Sequence, residues 1–288
     1  MTYPPRGACD CHTHVIGPKS RYPLVPKRSY TPVDAPIEML AAMLDRCGMD
    51  RVVLVQTSIF GTDNSCTLDG LAWMGKDRAR AVVVPHFDIS TGEIDRWHEA
   101  GVRGARLNFA SIGTPSADEI REGIRRILPI CERHGWHLQF LLPPGAYPAI
   151  AKDLKALPID TVIDHFGLIR PLETDSETVD AIVRLLESGK SWVKISGTYR
   201  LVPDRKDPSI GALARQMAAI NPERLVFATD WPHPPKHNSS GDATDEEAPY
   251  RDIDTPDLVH DLSNWFEGDE AMCKRILVDN AARLYDFG

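Results

Sequence analysis

The chain has 288 residues, with 33 Lys and Arg against 41 Asp and Glu, a formal charge of −8 with His neutral. At 42% hydrophobic and 26% charged residues its composition is ordinary for a globular protein, which excludes wholesale disorder and a collagen-like repeat. No apolar run approaches the ~18 residues of a membrane span, no signal-peptide core follows Met1, and an acidic chain without a basic block is poorly suited to nucleic acid. The expectation is a cytosolic protein with neither membrane nor nucleic acid as partner.

Short β-branched runs recur along the chain, each followed by a stretch of helical periodicity. The predicted strands are Ala8–His14, Arg51–Thr57, Ala81–Phe87, Gly104–Phe109, His137–Leu142, Thr161–Phe166, Trp192–Ser196 and Leu225–Asp230. Their starts lie about 31 residues apart on average, the length of a strand–helix–strand unit. Between them, Ile37, Leu40, Ala41 and Leu44 keep the i, i+3, i+4, i+7 spacing of an amphipathic helix, and Ile120, Ile124, Ile127 and Leu128, then Val179, Ile182 and Leu186, show the same period. Eight alternating units predict an α/β fold closed into a (β/α)8 TIM barrel, one domain over residues 1–288. A Gly-rich dinucleotide fingerprint after the first strand is absent, which counts against an open doubly wound sheet. Two long irregular segments, Val15–Pro36 after strand one and Trp231–Pro256 after strand eight, are expected to cover the barrel mouth, the second as a lid. The six cysteines are too scattered for a disulfide framework and are expected to be reduced and buried.

Barrel active sites sit at the C-terminal ends of the strands, so polar residues there with inward parity are the candidates. Side chains alternate along a strand. On strand one, Asp10, His12 and His14 share one face by this rule, and Cys9, Cys11 and Thr13 share the other, which would pack the cysteines outward against helices. On strand six, His165 shares the parity of Ile163 and is placed at the mouth. On strand eight, Asp230 follows Ala228 by two positions, and a carboxylate at the end of an apolar strand is costly to bury unless it is paired or functional.

Three imidazoles and one carboxylate allow two chemistries. They can hold zinc with an open position for water, or polarise a carbonyl while Asp230 takes a proton from water. Strand four adds Arg106 and Asn108, strand five Gln139, strand seven Lys194 and Ser196; strands four and five put no carboxylate, Lys or Cys inward, which counts against a binuclear metal bridge, and strand five lacks a well-placed imidazole. Lys194 reads as an internal salt-bridge partner. Arg106, with Arg200 and Arg170 nearby, offers bidentate recognition of an anion, so an anionic substrate is expected in a locally positive mouth.

The runs His12–His14, Gln56–Asn64, Gly104–Phe109, Ile163–Gly167 and Thr229–Pro234 together resemble the amidohydrolase superfamily, and within it the 2-pyrone-4,6-dicarboxylate lactonase-like lactone hydrolases. The resemblance extends from about Cys9 to Tyr285. It implies hydrolysis of a lactone bearing acidic groups, such as a pyrone dicarboxylate or a muconolactone-type intermediate of aromatic catabolism, reversibly in some members and with no cofactor required. His12, His14 and His165 match carbonyl-polarising positions and Asp230 the water-activating base. Tyr30, Ser58, Arg106 and Arg200 match substrate-contacting positions, with Gln139 and His233 placed beside them. The chain departs from that pattern at Gln139, where the pyrone lactonase carries an aromatic hydroxyl, and at Leu168, where it carries an Arg. The alternative is a zinc-dependent decarboxylase or hydratase on the same barrel, with His12, His14, His165 and Asp230 around one Zn2+. A homo-oligomer fits such a barrel, although no face identifies itself from sequence.

Overall fold

In the computed structural model, which describes residues 3–111, 113–171, 173–236 and 243–288, eight strands pair in parallel and in chain order. They are β1 (Cys9–Thr13), β2 (Arg51–Val55), β3 (Ala79–Val83), β4 (Val102–Asn108), β5 (His137–Leu141), β6 (Thr161–Ile163), β7 (Ser191–Ile195) and β8 (Leu225–Phe227). A parallel bridge between Thr13 and Trp231, with Asp230 N–H donating to the His12 carbonyl, joins the end of β8 to β1 and closes the barrel. The main outer helices are α1 (Ile37–Cys47), α2 (Ser65–Met74), α3 (Thr91–Ala100), α4 (Ala117–His134), α5 (Tyr147–Ala156), α6 (Ser176–Glu187), α7 (Pro208–Ile220) and α8 (Thr255–Trp265). Local chemistry sets their ends. Ser90 and Asp175 cap α3 and α6, and Ser116 with Glu119 forms a capping box on α4. None of the described helices is long and apolar enough to cross a membrane.

Several strands are shorter than the sequence predicts. β3 ends at Val83 because the next amide, Val84 N–H, donates to Asn64 Oδ1 and Pro85 has no amide to offer. β6 ends at Ile163 because His165, Phe166 and Leu168 all take positive φ, and Asp230 beyond β8 does the same.

The larger correction concerns β1. Cys9 and Cys11 do not face the helices; they pack inside the barrel with Val53, Val55, Val162, Trp192 and Val226. Asp10 points away from them, its carboxylate taking the Thr229 hydroxyl at 2.5 Å and the Thr229 amide at 3.0 Å. The reason is a bulge: Asp10 to Thr13 of β1 spans only Val52 to Leu54 of β2, so one extra residue is accommodated. Parity therefore reverses within the strand. Cysteines fill the interior below the bulge, and His12 and His14 enter it above. All six cysteines are buried and unpaired, as expected.

The two long segments are tied together. Thr31–Pro32 pairs in parallel with Glu247–Ala248, Arg28 reaches Asp245 at 2.6 Å, and Lys19 reaches Glu247 at 2.6 Å. Residues 237–242 of the expected lid lie outside the described residues. At the opposite end of the barrel the C-terminal turn acts as a stopper. Tyr285 is fully buried against the edge of His137, and Phe287 lies under the guanidinium groups of Arg51 and Arg80. Removing so large a buried ring leaves a cavity in the barrel floor, so Tyr285→Ala is expected to cost about 3–5 kcal/mol, read as a lowered urea midpoint with an unchanged slope.

Candidate active site

The polar residues at the C-terminal ends of the strands form two layers. The lower layer is built on Asp164, a carboxylate that the sequence reading passed over. Its Oδ2 accepts from Arg106 Nε (3.1 Å) and Nη2 (3.0 Å) and from Gln139 Nε2 (3.0 Å), while Oδ1 lies 3.2 Å from His12 Nδ1 and 3.6 Å from Lys194 Nζ. Burial would raise this acid, but His12, Arg106 and Lys194 hold it well below the usual carboxylate range. Lys194, pulled down to about 8 by burial against the opposing charge of Asp164, donates to the Cys11 carbonyl (2.9 Å) and Gln139 Oε1 (2.8 Å). The salt-bridge role expected for Lys194 is what the geometry shows. Gln139 belongs to this layer too, buried beneath the cavity.

The upper layer is built on Asp230. Tyr199 Oη donates to its Oδ2 at 2.6 Å and Arg200 Nε to the same oxygen at 2.7 Å. Oδ1 has no hydrogen-bond partner among the described residues and faces His14 Nε2 at 3.5 Å and His12 Nε2 at 3.9 Å; His165 Nε2 is 3.8 Å from Oδ2. One carboxylate oxygen is thus fixed by two donors and the other is left open toward His12 and His14. Burial would raise Asp230, but Arg200 and His165 bring it well below its ordinary value.

The second ring nitrogen of each histidine is held from behind. His14 Nδ1 lies 2.8 Å from the Val55 carbonyl, which can only accept, so His14 carries its hydrogen there when neutral. His165 Nδ1 lies 2.9 Å from Ser196 Oγ. His12 Nδ1 stands between Lys194 Nζ at 3.3 Å and Asp164 Oδ1 at 3.2 Å, so two tautomers have partners. With Lys194 donating to Nδ1, the hydrogen sits on Nε2 and points at the cavity; with Nδ1–H directed to Asp164, Nε2 offers a lone pair instead. His165 reaches this position by a route other than parity. Ile163 faces the outer helices, and it is the positive φ of His165 (51°) that swings the ring over the mouth. Gly197 makes room for it: a Cβ there would lie 2.8 Å from His165 Nδ1.

The remaining candidates divide. His14, Tyr30, Ser58, Arg106, His165 and Arg200 line a small inner cavity with Thr57, Asn108, Leu141 and Pro234. Burial pushes the Tyr30 hydroxyl up to about 12, so it stays protonated. His233 turns aside, its Nε2 on Thr255 Oγ1 at 2.9 Å, and Arg170 pairs with Glu173 at the surface rather than entering the mouth. Besides Asp164, sequence reasoning missed Tyr199. Asp164 had a usable signal, the parity of Val162, which faces inward; Tyr199 sits in a 3-10 turn where parity carries no information.

Comparisons with known proteins find relatives along nearly the whole chain. The family model described as "Amidohydrolase" matches residues 9–287. A 4-sulfomuconolactone hydrolase of Hydrogenophaga intermedia is 32% identical over 289 residues, covering 98% of this chain and 89% of its own. A 2-pyrone-4,6-dicarboxylate hydrolase of Comamonas testosteroni is 32% identical over 296 residues, covering 98% and 90%. Among solved structures, an Agrobacterium tumefaciens protein superposes with a TM-score of 0.80 at 26% identity, over 99% of this chain and 97% of that one.

Buried neutral imidazoles make stability depend on pH. Burial, the largest cause in each case, lowers His137 to about 3 and His165 and His233 to about 4. Below about 6.5 the unfolded chain binds protons that these folded rings refuse, so stability is complete above that pH and falls as the pH drops toward about 4. The expected slope is up to about 1.4 kcal/mol per pH unit for each ring. Urea unfolding at pH 7, 6, 5 and 4.5 checks it.

Proposed function

The chain belongs to the amidohydrolase family, and from that premise we propose that it hydrolyses a lactone bearing acidic groups, of the pyrone-dicarboxylate or muconolactone kind met in aromatic catabolism. The observation that carries this reading is the asymmetry of Asp230: Oδ2 is locked by Tyr199 and Arg200, while Oδ1 has no hydrogen bond among the described residues and faces the imidazoles of His12 and His14. A carboxylate so placed can take a proton from water at Oδ1 only. The water oxygen then attacks the lactone carbonyl carbon. His12, in the tautomer with Lys194 behind it, presents Nε2–H to the developing oxyanion, a kind of contact worth about 3 kcal/mol when well placed. The ring acyl C–O bond breaks, and the proton held by Asp230 passes to the leaving enol or alcohol oxygen.

Acidic groups on the substrate have cationic partners in the cavity wall. Arg106 is committed to Asp164 and the Gln56 carbonyl, which fixes its plane and leaves further N–H groups toward the cavity. Arg200 uses only Nε on Asp230, so both Nη groups remain for a substrate carboxylate or sulfonate. Positioning of this kind removes much of the entropic barrier. Asp230→Asn is expected to lower kcat at least ~10²-fold. Tyr199→Phe, which removes one donor from Oδ2, should lose about tenfold or more, both variants being read by a spectrophotometric assay of lactone opening.

A second reading has its own observation in support. One ring nitrogen each of His12 and His165 and one Asp230 oxygen lie within 4.8 Å of one another, and His12 Nε2, Asp230 Oδ1 and Asp164 Oδ1 are buried without hydrogen-bond partners among the described residues. The second His12 tautomer, Nδ1–H toward Asp164, would satisfy Asp164 and give Nε2 to a cation. These residues therefore fit one divalent ion such as Zn2+, with His14 Nε2 beside it. When bound, such an ion supplies Lewis-acid polarisation of the carbonyl. Elemental analysis of protein purified without added metal, with turnover measured before and after a chelator, separates the readings. Full activity in metal-free protein is expected for the Asp–His mechanism, and loss restored by Zn2+ for the metal-bound one.

A further inference from the structure

The inner cavity beside Asp230 measures only about 10 Å³, room for about one water. Outside it, sharing Leu141 and Arg200 as a common wall, is a vestibule of about 520 Å³, the size of a small-molecule site. The lining of this vestibule combines apolar side chains, Leu168, Leu201 and Val202 among them, with four cations, Arg170, Arg200, Lys236 and Arg251, against a single acid, Glu173. Arg170 is spent on Glu173, and Arg200 gives its Nε to Asp230 and turns its remaining donors to the inner cavity. Arg251 has no acidic partner among the described residues. Its guanidinium lies 5.0 Å from the centroid of the Tyr199 ring, and its root is held by the Arg251 amide donating to the His233 carbonyl at 2.9 Å. Of the acids in the same loop, Asp245 pairs with Arg28, Glu247 with Lys19 and Asp254 with Arg46, and neither Glu246 nor Asp252 forms an ion pair with Arg251 among the described residues. An uncompensated guanidinium, rooted in the backbone and laid over an aromatic wall, is arranged to receive an anion.

We propose that this vestibule is a second anion subsite, and that Arg251 determines specificity by reading an acidic group carried on an apolar arm away from the scissile carbonyl. The proposal rests on the lactone reading above and narrows its substrate class. A ring whose acids are attached directly would reach Arg106 and Arg200 and leave the vestibule to water. A substrate with a hydrocarbon or aromatic arm ending in a carboxylate or sulfonate would fill it, with the arm against Leu168 and Val202 and its charge on Arg251.

The test compares 2-pyrone-4,6-dicarboxylate with a butenolide bearing a carboxyphenyl arm, using wild type, Arg251→Gln and Arg251→Lys. For Arg251→Gln we expect KM for the arm-bearing lactone to rise about tenfold more than KM for the ring dicarboxylate, the scale of one charged hydrogen bond. Its kcat should stay near wild type, and Arg251→Lys should recover part of the loss. Equal KM changes for the two lactones, or a loss confined to kcat, overturns the proposal. If wild type opens neither lactone, the catalytic reading fails and calorimetry judges the subsite by itself. Binding of 4-(4-carboxyphenyl)butyrate weakened about tenfold by Arg251→Gln supports the subsite, and equal binding overturns it.

Discussion

The arrangement depends on a buried carboxylate, Asp164, that has no access to solvent and is surrounded by two committed cations and an amide. A buried charge is tolerable only when paired and hydrogen-bonded, and here the pairing also builds the site. Arg106 is held flat in the cavity wall, Lys194 is placed under the imidazole of His12, and Gln139 bridges acid and ammonium. Removing one member would strand a charge in the barrel interior. The upper carboxylate, Asp230, repeats the logic with a difference: Asp164 has donors at one oxygen and charges near the other, whereas Asp230 leaves one oxygen without a hydrogen bond, facing His12 and His14.

Backbone irregularity rather than regular barrel geometry delivers the reactive side chains. The extra residue in β1 lets small cysteine side chains occupy the narrow interior and His12 and His14 occupy the mouth within a five-residue strand and its exit. Left-handed residues at His165 and Asp230 do the same for β6 and β8. Such conformations cost about 1–3 kcal/mol each for residues other than glycine and persist where surrounding contacts overdetermine them. Here the Ser196 contact to His165 and the Tyr199 and Arg200 contacts to Asp230 supply that restraint.

Much of this was legible in the sequence, and the failures have identifiable causes. Eight recurring apolar runs gave the barrel, and an acid just past the apolar end of β8 stood out because burying it is costly, although its positive φ rather than strand alternation turns it to the site. The family resemblance was carried by short runs that coincide with the strand ends. Parity failed at β1 because a bulge leaves no mark on an alternating pattern, and it reached His165 by reasoning that the fold does not use. Asp164 was overlooked because attention went to the adjacent histidine, although Val162 already showed which face turned inward. Tyr199, Arg170 and His233 lie beyond strand ends, where period-two reasoning says nothing about direction and only tertiary packing decides.

The pairing of Thr31–Pro32 with Glu247–Ala248 fastens the segment after the first strand to the segment after the last, directly above the seam where the barrel closes. The same two crossings are also linked by the Arg28–Asp245 and Lys19–Glu247 ion pairs. The turns after β4 and β5, on the opposite arc of the rim, carry none of the side chains that hold Asp230. Divergence there can retune which molecules are admitted while the seam, and the acid and imidazoles rooted beside it, stay in register.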